Sequence, residues 1–274
     1  MMKRIPAAEI YRILSSTNGV VGLYIEDCET GEKLVINPDE VFPAASVIKI
    51  PMVALLLRDG AEGRVDLHKP MKIAPENRVG GTGVLCDLNP TFEPTLFEMA
   101  KLMINLSDNV ATNQVMDVIG VDRFHAFCAE MGCSHFVWQR KMMDFVSLAQ
   151  GKNNFLRPGH VGQVVSAIAK GEFVSKEISD TIYDFMCGQK YRTKLPARIP
   201  AVDSNSSSDP IGEDEVMVGN KTGDLGRVQH DVGIFELPDH RRYTISMFTK
   251  EMESDQEGMA LIAEVSKAVY LAMK

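Results

Sequence analysis

Val20-Val21-Gly22-Leu23-Tyr24-Ile25-Glu26 is a run of β-branched, aromatic and aliphatic residues close to the start of the chain, and reading it as a strand decides the fold. The turn residues Cys28-Glu29-Thr30-Gly31 send the chain back into a second strand over 33–37. Before the first strand, Ile10, Ile13 and Leu14 fall at helical spacing and predict an amphipathic helix over 6–16. The period then changes. Helices are expected over 46–59, 95–105, 109–119, 121–131, 158–169 and 175–187. Strands return over 215–221, 229–236 and 243–250, and a closing helix over 256–273 carries Met259, Ile262, Val265, Val269 and Ala272. Strand-rich ends enclosing a helical middle imply an α+β fold, and the short connections make its sheet antiparallel. The sheet, built from both chain ends and flanked by the N- and C-terminal helices, would take residues 1–45 and 203–274. An all-α domain inserted between them would take 46–202. The segment 203–214, dense in Ser, Asp, Pro and Gly, reads as a mobile surface loop. A cleft between the two lobes is the expected place for chemistry.

Composition narrows the function. Of 274 residues, 45% are hydrophobic and 24% charged, and 29 basic residues against 37 acidic ones leave a net charge of −8. An acidic surface of this kind repels phosphate backbones, so nucleic acid is not an expected partner. No apolar stretch approaches the ~20 residues of a membrane span. Met1-Met2-Lys3-Arg4 is basic, but Pro6, Glu9, Tyr11 and Arg12 stand where a secretory apolar core would follow. A cytoplasmic location is therefore the expectation. The five cysteines form no CxxC pair and read as buried thiols. The six histidines show no ligand spacing, so neither metal nor other cofactor is expected.

Three short motifs carry the chemistry. Ser46-Val47-Ile48-Lys49 opens an apolar helix, and positions i and i+3 of a helix share a face. A lysine amine there can reach the serine hydroxyl; burial among like charges would lower its pKa and make it a base. Taken alone, the pair reads as a helix N-cap beside a solvated lysine. Pro51 argues against a regular helix through Ser46, so the helix is either kinked or begins later. Ser107-Asp108-Asn109 can cap the helix that follows it, or project a hydroxyl and an amide into the cleft. Lys221-Thr222-Gly223 ends a strand; alternation puts Lys221 and Gly223 on one side of the pleat. The glycine there would admit a close backbone, such as an extended substrate.

In this order and spacing the three motifs resemble those of the penicillin-recognising serine hydrolases, the class A β-lactamase-like branch most closely. The resemblance extends through Ala111-Thr112-Asn113 and Asp231-Val232-Gly233. It implies that Ser46 is acylated by a strained or peptide-like amide, while Lys49 takes or relays its proton. Ser107 would protonate the leaving nitrogen, and Asn109 would hold Lys49 and the substrate amide. Lys221, Thr222 and Gly223 would bind a carboxylate-bearing small molecule, assisted by His230 or Arg227. The backbone N–H groups of Ser46 and Asp224 would form the oxyanion hole.

One departure stands out. Class A β-lactamases carry a glutamate that primes water for deacylation, and here Met142 falls nearest that position. Asp144 is the sole carboxylate between Glu130 and Glu172; it would act as a deacylation base or pair with Arg140 to brace the loop. Asn153 and Asn154 are further candidates for holding a water. The expected activity is acyl-enzyme formation on β-lactams or related amides. The alternatives are a D-alanyl peptidase or small-ester hydrolase, and a sensor that keeps its acyl adduct.

Overall fold

In the computed structural model, which describes residues 4–274, the two chain ends do build one sheet. Helix α1 (Ala7–Leu14) leads into strands β1 (Val20–Asp27) and β2 (Lys33–Ile36), and a two-residue strand, β3 (Phe42–Pro43), follows. A 3₁₀ turn over Ala45–Ile48 runs into α2 (Lys49–Ala61). Helices α3 (Leu96–Asn105), α4 (Asn109–Ile119) and α5 (Val121–Glu130) complete the helical lobe. The short helix α6 (Phe145–Ala149) and strand β4 (Phe155–Leu156) lie in the segment leading to α7 (Pro158–Lys170) and α8 (Lys176–Cys187). Strands β5 (Met217–Leu225), β6 (Val228–Glu236) and β7 (Arg242–Lys250) precede the closing helix α9 (Asp255–Met273).

The sheet order is β2-β1-β7-β6-β5, antiparallel throughout. Both faces are covered, so the strands carry apolar residues on each side of the pleat. Met217, Val232, Ile234 and Phe248 join the core shared with the helical lobe, while Val218, Phe235, Ile245 and Met247 pack with α1 and α9. Helices α7 and α8 lie on the inner face, against β7 and β5. Helix starts follow local chemistry: Thr95 and Glu98 form a reciprocal capping box at α3, and Ser175 and Ser254 cap α8 and α9.

Two sequence expectations change here. The helix expected over 46–59 begins at Lys49, which resolves the conflict with Pro51. Pro51 occupies the first turn of α2, where backbone N–H groups have no intrahelical acceptor anyway. The strand expected to end at residue 221 runs on to Leu225, because pairing with β6 carries it past Lys221-Thr222-Gly223. The 203–214 segment is fastened to α8: Asp184 accepts from the Ser206 hydroxyl at 2.7 Å and from the Ser207 amide at 2.9 Å.

Candidate active site

Each motif arrives at the cleft on a different support. Ser46 sits in the 3₁₀ turn, preceded by Ala45 at φ 45°. Ser107 lies between α3 and α4 at φ 53°. Left-handed backbone at non-glycine residues costs of order 1–3 kcal/mol each, and here it occurs on both serines' supports. Asp108 caps α4: its side chain accepts from Ala111 N at 2.9 Å and from Val84 N and Leu85 N at 2.7 and 2.9 Å. The capping reading and the functional reading of this motif thus hold together, since the buried Asp108 fixes the turn that presents Ser107 and Asn109.

The two lysines converge on one hydroxyl. Lys49 Nζ donates to Ser107 O at 2.7 Å and to Asn109 Oδ1 at 3.0 Å, and lies 3.2 Å from Ser107 Oγ. Lys221 Nζ donates to Ser107 Oγ at 3.1 Å and to Thr222 O at 2.7 Å. Both amines are fully buried. Desolvation, with the charge of Lys221 beside it, holds Lys49 well below the usual lysine range against the opposing pull of Asp108. Burial likewise pushes Lys221 down to about 7, against the attraction of Asp224 and Asp231. In place of an i, i+3 pairing with Ser46, Lys49 makes these bonds to Ser107 and Asn109.

Gly223 earns its place differently from expectation. A Cβ there would stand 3.1 Å from Ala45 Cβ and 3.2 Å from Val47 Cγ2. The close neighbour is the turn that carries Ser46, so the glycine lets strand β5 seat directly against that turn. Lys221 and Gly223 do share one side of the pleat, both facing the helical lobe.

Between the lobes lies a cavity of about 500 Å³ whose lining includes Ser46, Ser107, Asn109, Thr222 and Asp224. The 139–154 segment also lines it, contributing Met142, Met143, Phe145 and Leu148. The Met142 backbone is gripped by buried Asn113, which accepts from Met142 N at 2.8 Å and donates to Met142 O at 3.2 Å.

Several expected roles meet other geometry. His230 is fully buried outside the cavity lining; one ring nitrogen lies 2.8 Å from Pro43 O and the other accepts from Thr249 N at 3.4 Å. Burial pushes its pKa down to about 4, leaving a neutral ring between Phe42 and Phe248. Arg227 donates from Nε to Met252 O and its backbone N–H donates to Asp255, so it braces the β6 approach. Asp144 caps α6, accepting from Ser147 N at 2.9 Å, and does not line the cavity. The Ser147 side chain and then its backbone N–H, with a smaller attraction from Arg140, hold its carboxyl below the usual range. Arg140 itself donates to Asn153 Oδ1 at 3.0 Å. Asn154 spends its amide on the backbone of Gln139 and Arg140. These corrections share a cause: each side chain satisfies a loop or strand end in place of substrate.

Sequence reasoning missed Lys194. Its side chain is 1% exposed, yet it lines the cavity and donates to Asp224 Oδ1 at 2.7 Å, His230 O at 3.0 Å and Gly223 O at 3.2 Å. No local pattern marks it, because its partners lie about thirty residues further along. Thr82, which donates to Ser107 O at 2.6 Å and fixes that carbonyl for Lys49, was equally silent.

A serine hydrolase is the class of protein that this fold and this serine–lysine site define. The chain belongs to the β-lactamase enzyme family, whose model matches residues 5–273. Among curated relatives, it is 23% identical to the extended-spectrum β-lactamase PER-1 of Pseudomonas aeruginosa over 275 residues, covering 96% of this chain and 85% of that protein. Among solved structures, it is similar to a β-lactamase from Sphaerobacter thermophilus (TM-score 0.82, 26% identity, 97% of this chain and 95% of that one). It is also similar to a mutant of PBP-A solved as an acyl-enzyme complex with penicillin G (TM-score 0.83, 29% identity, 99% of this chain and 98% of that one).

Proposed function

We propose that the protein forms an acyl-enzyme on Ser46 with β-lactams or related carboxylate-bearing amides, and that it releases the acyl group slowly. In acylation, Ser46 Oγ adds to the carbonyl carbon as its proton passes to neutral Lys49. The tetrahedral oxyanion is held by the backbone N–H groups of Ser46 and Asp224. The C–N bond then breaks, and the leaving nitrogen takes the Ser107 hydroxyl proton. Lys49 or Lys221, both within 3.2 Å of that oxygen, restores it. A neutral Lys49 amine fits its surroundings, with two N–H groups for Ser107 O and Asn109 Oδ1 and a lone pair for a proton. Asn109 positions that amine, and Thr222 lies on the cavity wall to meet a substrate carboxylate.

The observation that carries slow release is Met142. It lines the same cavity as Ser46, fixed by Asn113, and a thioether cannot take a proton from water. The one carboxylate on the cavity lining, Asp224, is engaged by Lys194. The likeness to a penicillin-acylated PBP-A supports the same reading. Intact-protein mass spectrometry after mixing with benzylpenicillin tests it. A single adduct that persists for many minutes and is absent from Ser46→Ala is expected. Clearance within seconds would refute slow release, and labelling of Ser46→Ala would refute the nucleophile.

A further inference from the structure

Lys221 is the motif's cation, yet it is fully buried, absent from the cavity lining and bonded to Ser107 Oγ and Thr222 O. A substrate carboxylate entering the cavity meets a different ammonium first. Lys194 lines the cavity, and its Nζ is held by two backbone carbonyls, Gly223 O and His230 O, and by Asp224 Oδ1, with the buried Asp231 carboxylate also within electrostatic reach. The Thr222 hydroxyl is buried without a hydrogen-bond partner and also lines this cavity. Alternation places Thr222 and Asp224 on the same side of β5. An ammonium and an unclaimed hydroxyl therefore flank one site.

We propose that Lys194 is the substrate-carboxylate cation of this enzyme, and that the Asp224 side chain occupies it as an internal stand-in until substrate arrives. The energetics favour exchange over simple addition. A buried ammonium is costly without an anion beside it; buried Asp231 acts on Lys194 electrostatically, and Asp224 satisfies the ammonium directly. Asp224 does so from a half-exposed position, its side chain 53% accessible. Its carboxylate can be returned to water at little cost while the substrate's takes its place. The Gly223 and His230 carbonyls hold the ammonium throughout, so the site stays formed during the swap. The Asp224 backbone N–H, assigned to the oxyanion hole, stays in β5 while its side chain moves. The exchange makes the enzyme select carboxylate-bearing substrates and sets their affinity by competition with its own aspartate.

This inference rests on the acylation reading for its role in turnover, and its test separates the two. Non-covalent affinity is measured by calorimetry in the Ser46→Ala background for benzylpenicillin and for its methyl ester. The acid is expected to bind at least tenfold more tightly than the ester. Adding Lys194→Met should shrink that ratio towards one, Lys194→Arg should keep most of it, and Asp224→Asn should raise affinity for the acid by several-fold. A ratio unchanged by Lys194→Met overturns the assignment, as does an Asp224→Asn variant that binds the acid more weakly. An acid preference that depends on Lys194 supports it, even where the Ser46 parent shows no adduct; that result would overturn the acylation reading alone.

Discussion

Gly223→Ala is the most direct probe of how the site is assembled. The added Cβ would lie 3.1 Å from Ala45 Cβ and 3.2 Å from Val47 Cγ2, whereas carbon atoms prefer roughly 3.5–4.0 Å. Strand and turn must separate by about 0.3–0.9 Å. Neither yields easily. β5 is paired along its length with β6, and Gly219 already sits 3.0 Å from the Tyr183 ring by the same Cβ measure. The turn is continuous with α2, whose residues from Lys49 to Leu56 are wholly or almost wholly buried. Overpacking of this kind costs about 1–3 kcal/mol, and a displacement approaching 1 Å between reacting groups lowers rate by up to ~100-fold. We therefore expect a lower urea midpoint at unchanged slope, together with acylation by benzylpenicillin slowed roughly 10- to 100-fold. If the glycine only made room for substrate, stability would be untouched. A variant with the parental midpoint and acylation within about threefold of the parent would refute the packing argument.

The acylation rate should also depend on pH with a definite sign. It should rise as Lys49 loses its proton at a pH well below the usual lysine range, then fall as Lys221, at about 7, loses the charge that supports Ser107; a stopped-flow profile flat from pH 5 to 9 would contradict this. Asn113→Ala removes both bonds that grip Met142 and leaves buried backbone groups unpaired, so a loss of about 2 kcal/mol is expected, with hydrogen exchange accelerated across 139–154 in preference to α2. Met142→Glu places a carboxylate on the lining of the cavity that holds Ser46 and should shorten the adduct lifetime by at least tenfold in the mass-spectrometric time course; an unchanged lifetime would show that the missing base does not limit release.

The sheet and the long helices were legible because burial imposes periodicity that single residues cannot hide: Val20–Asp27 and Asp255–Met273 sit where their apolar patterns put them. The short pieces were not. α6 and the β3–β4 pair are too brief to show a period, and tertiary contacts define them. The extension of β5 ran against local propensity, since Gly-Asp reads as a turn until β6 supplies a partner. At the site, Ser46, Lys49, Ser107, Asn109 and Lys221 could be named because each lies in a dense motif. Lys194 and Thr82 lie in none, and their importance comes from which distant carbonyls they meet. His230 fills the core, where no local pattern separates it from a strand residue in the cleft, and Asp144, of its two readings, serves the loop by starting α6.

The pairing of β1 with β7 joins Val20 to Lys250, and this shapes how the molecule comes into being. Of the paired strands β1 and β7, β1 is made long before its partner; it has β2 as its early neighbour and must wait for the whole helical lobe before β7 can cover its other edge. Until then its amides and carbonyls on that side are open to any passing strand, a hazard that contact order makes long-lived. The helical lobe lies between these strands in sequence and can collapse first around α2. The cleft, which needs Lys221 on β5, closes only after that lobe has been made. A nascent chain therefore holds no assembled site until β5 is in place.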